Sequence, residues 1–195
     1  MNEQQIAACF ARDTANHTIK VRHDDGLYRH LRFDNYGSSF YHFELITWPG
    51  YLTICGDMGS FTFRRITDMF RFFSGSGQID FRYWAEKLQA SSDEAREFSL
   101  ATLKRAVHEH IDDMAEWGPE ADDWEARRSE ADDALFGVES EVEAYAALRD
   151  LTFVGDICDL SRHEWGFRFV WCCYAIRWGI EQYVAQGGQI SAVAE

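Results

Sequence analysis

Apolar and polar residues alternate in short runs between residues 17 and 63, as they do in half-buried antiparallel strands. Turn residues separate these runs at Asp24-Asp25-Gly26, at Pro49-Gly50 and at Gly56-Asp57-Met58-Gly59. Glycine tolerates the positive φ angles that tight hairpin turns require. The pattern therefore predicts a meander of about five antiparallel strands.

The middle of the chain has the periodicity of amphipathic helices. Apolar residues recur there at spacings of three and four, which places them on one side of a helix. The sequence Ser91-Ser92-Asp93-Glu94 has the form of a capping box and is predicted to begin the first of these helices. The residues predicted to lie on the buried side of that helix are Leu100, Leu103, Val107, Ile111 and Met114.

The pattern changes again after Gly155. Trp165, Phe167 and Phe169 alternate as in a strand, and the following segment, 171–183, is apolar on nearly every side, which is typical of a helix inside a domain. The chain is thus predicted to have an α+β fold, an antiparallel meander sheet with a buried C-terminal helix and a helical acidic insertion. The predicted regions of this single structural unit are 1–90 (sheet and short helices), 91–160 (acidic helices) and 161–195 (strand and buried helix).

Charge is unevenly distributed along the sequence. The 195 residues include 33 acidic and 19 basic side chains, a net charge of -14. Direct, sequence-independent nucleic-acid binding is disfavoured, because it depends on Lys and Arg neutralising phosphates. Acidic and basic residues balance over 1–90 and over 161–195, whereas residues 91–160 contain twenty acidic against six basic side chains. The helical insertion therefore carries the whole net charge.

The acidic excess is greatest over residues 109–143, where fourteen acidic residues accompany only Arg127 and Arg128. One interpretation is an ordinary solvated helix face. However, such faces usually mix signs, because Glu–Lys pairs stabilise a helix and like charges destabilise it. A helix of this composition carries about one net charge per 4 Å, close to the roughly 3.4 Å spacing of charges on one DNA strand. The second interpretation is a nucleic-acid-mimicking surface, with predicted partner-binding residues Asp112, Asp113, Glu116, Asp122, Asp123, Glu125, Asp132 and Asp133.

Signatures of enzymes and of cofactor sites are absent from the sequence. HExxH, GxSxG, P-loop and GxGxxG motifs do not occur, so we predict no metal site, no cofactor and no assigned catalytic residue. One alternative is a small enzyme acting on a nucleotide or another small molecule, with His23, Asp24 and Asp57 as its acid/base or metal cluster. That cluster requires both turns to lie at the same edge of the sheet. A homo-oligomer held together by an aromatic surface is a further alternative.

The compartment is predicted from the cysteines and the hydropathy. The five cysteines include no CxxC pair, and the first residues lack the basic and apolar regions of a signal peptide. The longest apolar stretch, 167–180, contains Arg168 and Arg177 and is shorter than the ~20 residues of a membrane span. We expect a cytoplasmic protein with reduced thiols that does not associate with membranes.

Three stretches of the chain share a resemblance: His23-Asp24-Asp25-Gly26-Leu27-Tyr28-Arg29-His30-Leu31-Arg32-Phe33, the segment 47–70 with Trp48-Pro49-Gly50 and Gly56-Asp57-Met58-Gly59, and Trp171-Cys172-Cys173-Tyr174-Ala175-Ile176-Arg177-Trp178-Gly179-Ile180. They resemble a family of small bacteriophage and prophage proteins that have no assigned function. The resemblance implies a phage protein acting in the host cytoplasm, and it supplies no catalytic residues. By analogy with anti-CRISPR proteins, the expected function is non-catalytic inhibition of a host defence complex. The expected partner is a host protein or nucleoprotein complex with a basic groove.

Overall fold

A computed structural model describes residues 1–117 and 123–190 and has an α+β fold. Five strands form one antiparallel sheet in which the spatial order is the chain order, so the predicted meander is confirmed. Short turns join most neighbouring strands, and a longer loop, 35–42, joins the second strand to the third. The strands are β1 (Thr18–Asp25), β2 (Tyr28–Asp34), β3 (Phe43–Trp48), β4 (Tyr51–Gly56) and β5 (Gly59–Arg64).

The helices and a second, two-stranded sheet complete the described fold. Helices α1 (Glu3–Asp13), α2 (Met69–Phe73), α3 (Phe81–Ala85) and α7 (Phe167–Ala185) accompany the large sheet. Between the third and seventh helices come β6 (Arg96–Phe98), α4 (Leu100–Trp117), α5 (Trp124–Ala134), α6 (Glu141–Leu148) and β7 (His163–Trp165), with β6 paired to β7.

One face of the large sheet is buried against α7. The register places Leu31 opposite Leu45 and Leu45 opposite Ile54, and all three side chains are completely buried. Successive side chains of a strand point to opposite faces, so the intervening residues Arg32, Glu44 and Cys55 form a row on the other face. The predicted buried C-terminal helix is confirmed by α7, in which ten residues between Phe169 and Tyr183 are buried.

The chain divides into two compact units. Unit 1 comprises Met1–Ala95 and Trp165–Glu195, and unit 2 comprises Arg96–Glu164. Unit 1 has an aromatic-rich core around the sheet and α7. Unit 2 has a separate core in which α4, α5 and α6 contribute the buried residues Leu103, Val107, Ile111, Ala131, Leu135, Ala144 and Leu148.

Three local predictions were wrong or incomplete. Helix α1 was not predicted, although Asn2 and Gln5 form a reciprocal capping box at its start. The proposed capping box at Ser91 does not begin α4, because Ser92–Ala95 is a 3₁₀ turn and the short strand β6 follows. The Ser99 hydroxyl instead accepts a hydrogen bond from the Thr102 N–H (3.2 Å), in the first turn of α4.

The alternation at Trp165, Phe167 and Phe169 also misled the prediction. Only His163–Trp165 is a strand, and α7 already begins at Phe167. A helix that is buried on several sides has aromatic residues at every spacing, so alternation alone does not identify a strand there. Within the part of the chain that the structure describes, no helix is both long enough and apolar enough to span a membrane.

Candidate functional site

Helices α4 and α5 carry most of the acidic residues selected from the sequence, and they pack side by side. Ion pairs connect Lys104 Nζ to Asp132 Oδ1 (3.5 Å) and Arg128 to Asp112, and His108 Nε2 lies 3.2 Å from Asp132 Oδ2. Residues near the start of α4 thus meet residues near the end of α5, so the two helices run antiparallel. We call the line of ion pairs between them the seam.

The seam neutralises two of the predicted partner-binding residues. Asp112 and Asp132 face basic side chains of the neighbouring helix, which reduces their availability to an external partner. Their side chains remain about half exposed, at 53% and 45%, so the ion pairs are screened by solvent. The structure therefore assigns Asp112 and Asp132 to helix–helix packing as well as to the acidic surface.

Four other predicted residues form what we call the surface acids: Asp113 and Glu116 on α4, and Glu125 and Asp133 on α5. All four are exposed, and none forms an ion pair with another described residue. At 3.6 residues per turn, the α4 pair lies on the side of the helix opposite the buried stripe of Leu103, Val107 and Ile111. These carboxylates are available to an external basic group.

The two remaining predicted residues differ from the surface acids. Asp123 is the N-cap of α5, and its Oδ1 accepts a hydrogen bond from the Ala126 N–H at 3.0 Å. A carboxylate at this position stabilises the helix by satisfying a free N–H group and by opposing the helix dipole. Asp122 lies outside the described residues.

Acidic residues around α6 have structural partners of their own. Glu141 accepts a hydrogen bond from Arg162 Nε (2.5 Å), which lowers the pKa of its carboxyl group, and His163 lies 3.3 Å away. Glu143 accepts hydrogen bonds from the N–H groups of Glu139 and Ser140, which lower its pKa and complete a capping box. Not every acidic residue of unit 2 is therefore available for binding.

The charge of the protein is concentrated in unit 2. By sequence, Arg96–Glu164 contains 19 acidic and 7 basic side chains, a net charge of -12, whereas the residues of unit 1 sum to -2. Several of the seven basic residues have partners inside the unit: Lys104 and Arg128 at the seam, Arg149 with Asp150, and Arg162 with Glu141. Among the described residues, part of the excess negative charge lies on the exposed faces of α4 and α5.

The alternative catalytic cluster does not form. In an antiparallel meander, the β1–β2 and β3–β4 turns lie at one end of the strands, and the β4–β5 turn lies at the other end. Asp57 accordingly meets the 35–42 loop, where its Oδ2 accepts a hydrogen bond from the Tyr41 N–H (2.9 Å). His23 and Asp24 are on β1 near the β1–β2 turn, at the opposite end of the sheet. The condition for the alternative, that both turns lie at the same end of the sheet, is therefore not met.

The sequence did not predict a buried polar network that lies near the β1–β2 turn. Arg29 is only 3% exposed, and its guanidinium donates to both carboxylate oxygens of Asp68, at 2.9 and 3.0 Å. The Tyr183 hydroxyl donates to Asp24 at 3.0 Å, and burial followed by this hydrogen bond raises the pKa of Tyr183. A signal was present, because Arg29 has the strand parity of the inward-facing residues Leu31 and Phe33.

The chain was compared with protein-family models, with curated proteins and with solved structures, and none of the three comparisons found a match.

Proposed function

We propose that the protein is a non-catalytic inhibitor that binds a basic nucleic-acid-binding groove through the acidic helices α4 and α5. The observation that carries this proposal is the exposure of Asp113, Glu116, Glu125 and Asp133 without a basic partner among the described residues. The basic residues Lys104 and Arg128 pair with Asp132 and Asp112 at the seam, and neither forms an ion pair with a surface acid. The inhibitor would compete sterically and electrostatically with nucleic acid.

The spacing of the surface acids supports this proposal. Asp113 and Glu116 lie three residues apart on α4, and Glu125 and Asp133 lie eight residues apart on α5, about 4.5 and 12 Å along their helix axes. Because the helices are antiparallel neighbours, negative charge is arranged along two adjacent lines. The spacing of about 4.5 Å on α4 is close to the roughly 3.4 Å spacing of charges on one DNA strand, whereas the spacing of about 12 Å on α5 spans several phosphates.

The proposed partner is a host nucleoprotein complex, which follows from the phage resemblance, and the site of action is the host cytoplasm. In biological terms, we propose that a phage encodes the protein and that it inhibits a defence complex of the host. Complementary charge would make association fast and sensitive to salt. The surface acids would not complement a partner whose groove is apolar.

The experiment is capture from a bacterial lysate by the immobilised full-length protein at low and at high salt. We expect a nucleic-acid-binding partner that is retained at low salt and lost as salt rises. The purified partner should bind with an affinity that falls with salt concentration, and nucleic acid should compete. Partners retained equally at every salt concentration, or no competition by nucleic acid, would contradict the proposal.

The variant for this experiment replaces the surface acids by their amides, Asp113→Asn, Glu116→Gln, Glu125→Gln and Asp133→Asn. It leaves the Asp123 cap and the seam intact, so the fold of unit 2 should be unchanged. The matched control neutralises four exposed acidic residues of unit 1: Glu3→Gln, Asp25→Asn, Glu94→Gln and Glu181→Gln. Both variants have the same net charge, so only a positional effect separates them.

A further inference from the structure

A cleft of about 520 Å³ opens in unit 1 beside the β1–β2 turn. Asp24, Arg29 and Tyr183 line it, together with the segment 187–190 that follows α7. Its size is within the roughly 300–1,000 Å³ typical of small-molecule sites. The proposed inhibitor function uses none of these residues, so the cleft requires its own explanation.

Arg29 presents two different edges of its guanidinium group. The edge formed by Nη1 and Nη2 donates to the Asp68 carboxylate at 2.9 and 3.0 Å. The second hydrogen of Nη2 lies on the side of Nε, because the guanidinium is planar and its donors form a fixed fork. Through that hydrogen, Nη2 donates to the main-chain carbonyl oxygen of Gln189, with an N···O distance of 3.0 Å. The Nε/Nη2 edge is therefore directed at the segment that lines the cleft.

The second edge is only half satisfied. Nε of Arg29 is buried and has no hydrogen-bond partner among the described residues. A buried donor without a partner is unfavourable, and such groups are uncommon in native structures. One carbonyl oxygen satisfies Nη2 alone, whereas the two oxygens of a carboxylate match Nε and Nη2 together. The Nε/Nη2 edge thus has the geometry of a carboxylate-binding group.

Rigid surroundings hold this edge in position. The guanidinium carbon of Arg29 lies 4.7 Å from the ring centre of Phe70 and 5.8 Å from that of Tyr183. Asp68 is itself fixed as the N-cap of α2, where its Oδ1 accepts a hydrogen bond from the Phe70 N–H. A preorganised group binds a ligand with little loss of side-chain entropy.

Asp24 supplies a negative charge at the same place. It lies directly opposite Arg29 in the β1–β2 pairing, and both of its oxygens are within 3.1 Å of the Tyr183 hydroxyl. An ionised carboxylate has about four acceptor positions, so Asp24 can accept further hydrogen bonds. Asp68 already balances the charge of Arg29, which leaves the charge of Asp24 for a cation. An ammonium group is the complementary ligand group.

The segment over the cleft is held by backbone hydrogen bonds from Gly187 and Gly188 to the end of α7 and by the contacts of Gln189. Gly187 has a φ of +91°, and a side chain at Gly188 would collide with the Tyr183 ring, so glycine is needed at both positions. The Gln189 N–H donates to the Tyr183 hydroxyl at 3.3 Å, and its carbonyl accepts from Arg29. A ligand carboxylate that replaces this carbonyl would exchange one hydrogen bond to Arg29 for two.

We propose that this cleft binds a free α-amino acid as a zwitterion, with its carboxylate on the Nε/Nη2 edge of Arg29 and its ammonium group on Asp24. The Gln189 carbonyl leaves Arg29 when the ligand binds. The Tyr183 hydroxyl stays between the two charged groups and orients Asp24. The amino-acid side chain occupies the remainder of the cleft.

The test is an NMR titration of the full-length protein with each of the standard L-amino acids. The Nε–H of Arg29 and the amides of Gly188 and Gln189 are the reporters. We expect at least one amino acid to shift these signals in a saturable manner. Its amine lacking the carboxylate and its carboxylic acid lacking the ammonium group should each bind at least about tenfold more weakly. For leucine these two compounds are isopentylamine and 4-methylpentanoate.

The variants are chosen to leave the fold intact. Asp24→Asn should weaken binding of the amino acid by about tenfold or more while leaving the affinity for the carboxylic acid unchanged. Asp25→Asn, a neutralisation of the adjacent exposed residue, should change neither affinity. The proposal is overturned if no amino acid shifts the reporter signals at 10 mM. Equal binding of the zwitterion and of the carboxylic acid, or an unchanged affinity in Asp24→Asn, overturns it as well.

Discussion

Unit 1 buries the guanidinium of Arg29 against Asp68 among aromatic rings, whereas unit 2 keeps Asp113 and Asp133 on its surface without a basic partner among the described residues. The first arrangement is paired, dry and close to neutral, and the second is solvated and strongly negative. Removing one half of a buried pair leaves an uncompensated charge, but removing one exposed charge leaves nothing unsatisfied. The Arg29–Asp68 pair therefore contributes to the packing of unit 1, whereas the surface acids of unit 2 remain exposed to solvent.

The largest expected effect comes from breaking the buried pair of unit 1. Arg29→Ala should lower the free energy of unfolding by about 3–5 kcal/mol, because the carboxylate of Asp68 then remains buried without the guanidinium charge. The double variant Arg29→Met, Asp68→Leu should recover part of that loss, reduced by about 1 kcal/mol because Asp68 is also the N-cap of α2. Chemical denaturation measures both. Exposed Arg65→Ala is the control, and an equally small effect at Arg29 would contradict the account.

The next effect tests the packing of α7 on the sheet. A Cβ at Gly179 would lie 2.9 Å from Leu45 Cδ1 and 3.1 Å from the Phe33 ring, so Gly179→Val should cost about 1–3 kcal/mol through overpacking. Gly75→Ala, where a Cβ meets open space, should change stability little. Thermal unfolding of the two variants distinguishes a tight interface from a tolerant one. Equal melting temperatures would show that the close approach does not matter.

A third effect concerns the pH dependence of unit 1. Burial opposes ionisation of Asp34, but hydrogen bonds from Lys20, Arg32 and the Gly37 N–H together lower its pKa far below the ordinary value of 3.8. A lowered folded-state pKa stabilises the protein above the unfolded-state pKa, and this stability is lost as the pH falls below 3.8. Asp34→Asn should therefore be less stable than the natural protein at neutral pH, by about 1.5 kcal/mol.

Denaturation across the acidic range provides the measurement for Asp34. The difference between Asp34→Asn and the natural protein should shrink steadily as the pH is lowered from 5 to 2. Asp25→Asn, which changes an exposed residue of β1, should show no such convergence. A difference that stays constant with pH would mean that the charge of Asp34 contributes nothing.

The smallest effects separate the seam from the surface acids within unit 2. Asp132→Asn removes the pairing with Lys104 and His108 and should cost roughly 0.5 kcal/mol, because the pair is partly exposed. Asp133→Asn, one residue away, should leave stability unchanged or slightly raised, since it relieves like-charge repulsion. Hydrogen exchange of the α4 and α5 amides would show the difference. The reverse order would contradict the assignment of Asp132 to the seam.

The sequence predicted the sheet well because the buried and exposed sides of a strand alternate residue by residue. The runs around Leu31, Leu45 and Ile54 carry that information locally. It predicted the ends of helices less well. Ser91 and Ser99 both precede apolar periodicity, but strand β6 lies between them, so α4 begins after Ser99.

The division of the acidic residues could not be read from the sequence. Asp132 and Asp133 are adjacent and chemically identical, and their roles separate only because α5 packs antiparallel to α4. The same limit applies to the Arg29 network, whose partners Asp68 and Gln189 are distant along the chain. An inward-facing arginine in a strand signals a buried partner, but it does not identify that partner.

The most direct test of the acidic surface is displacement of host proteins from immobilised double-stranded DNA. Proteins of a bacterial lysate are first bound to the DNA, and the full-length protein is then added at low salt. We predict that it releases a specific DNA-binding protein, that the variant with all four surface acids neutralised does not, and that the matched unit 1 variant does. Equal release by both variants, or no release by the natural protein, would contradict the proposed mimicry.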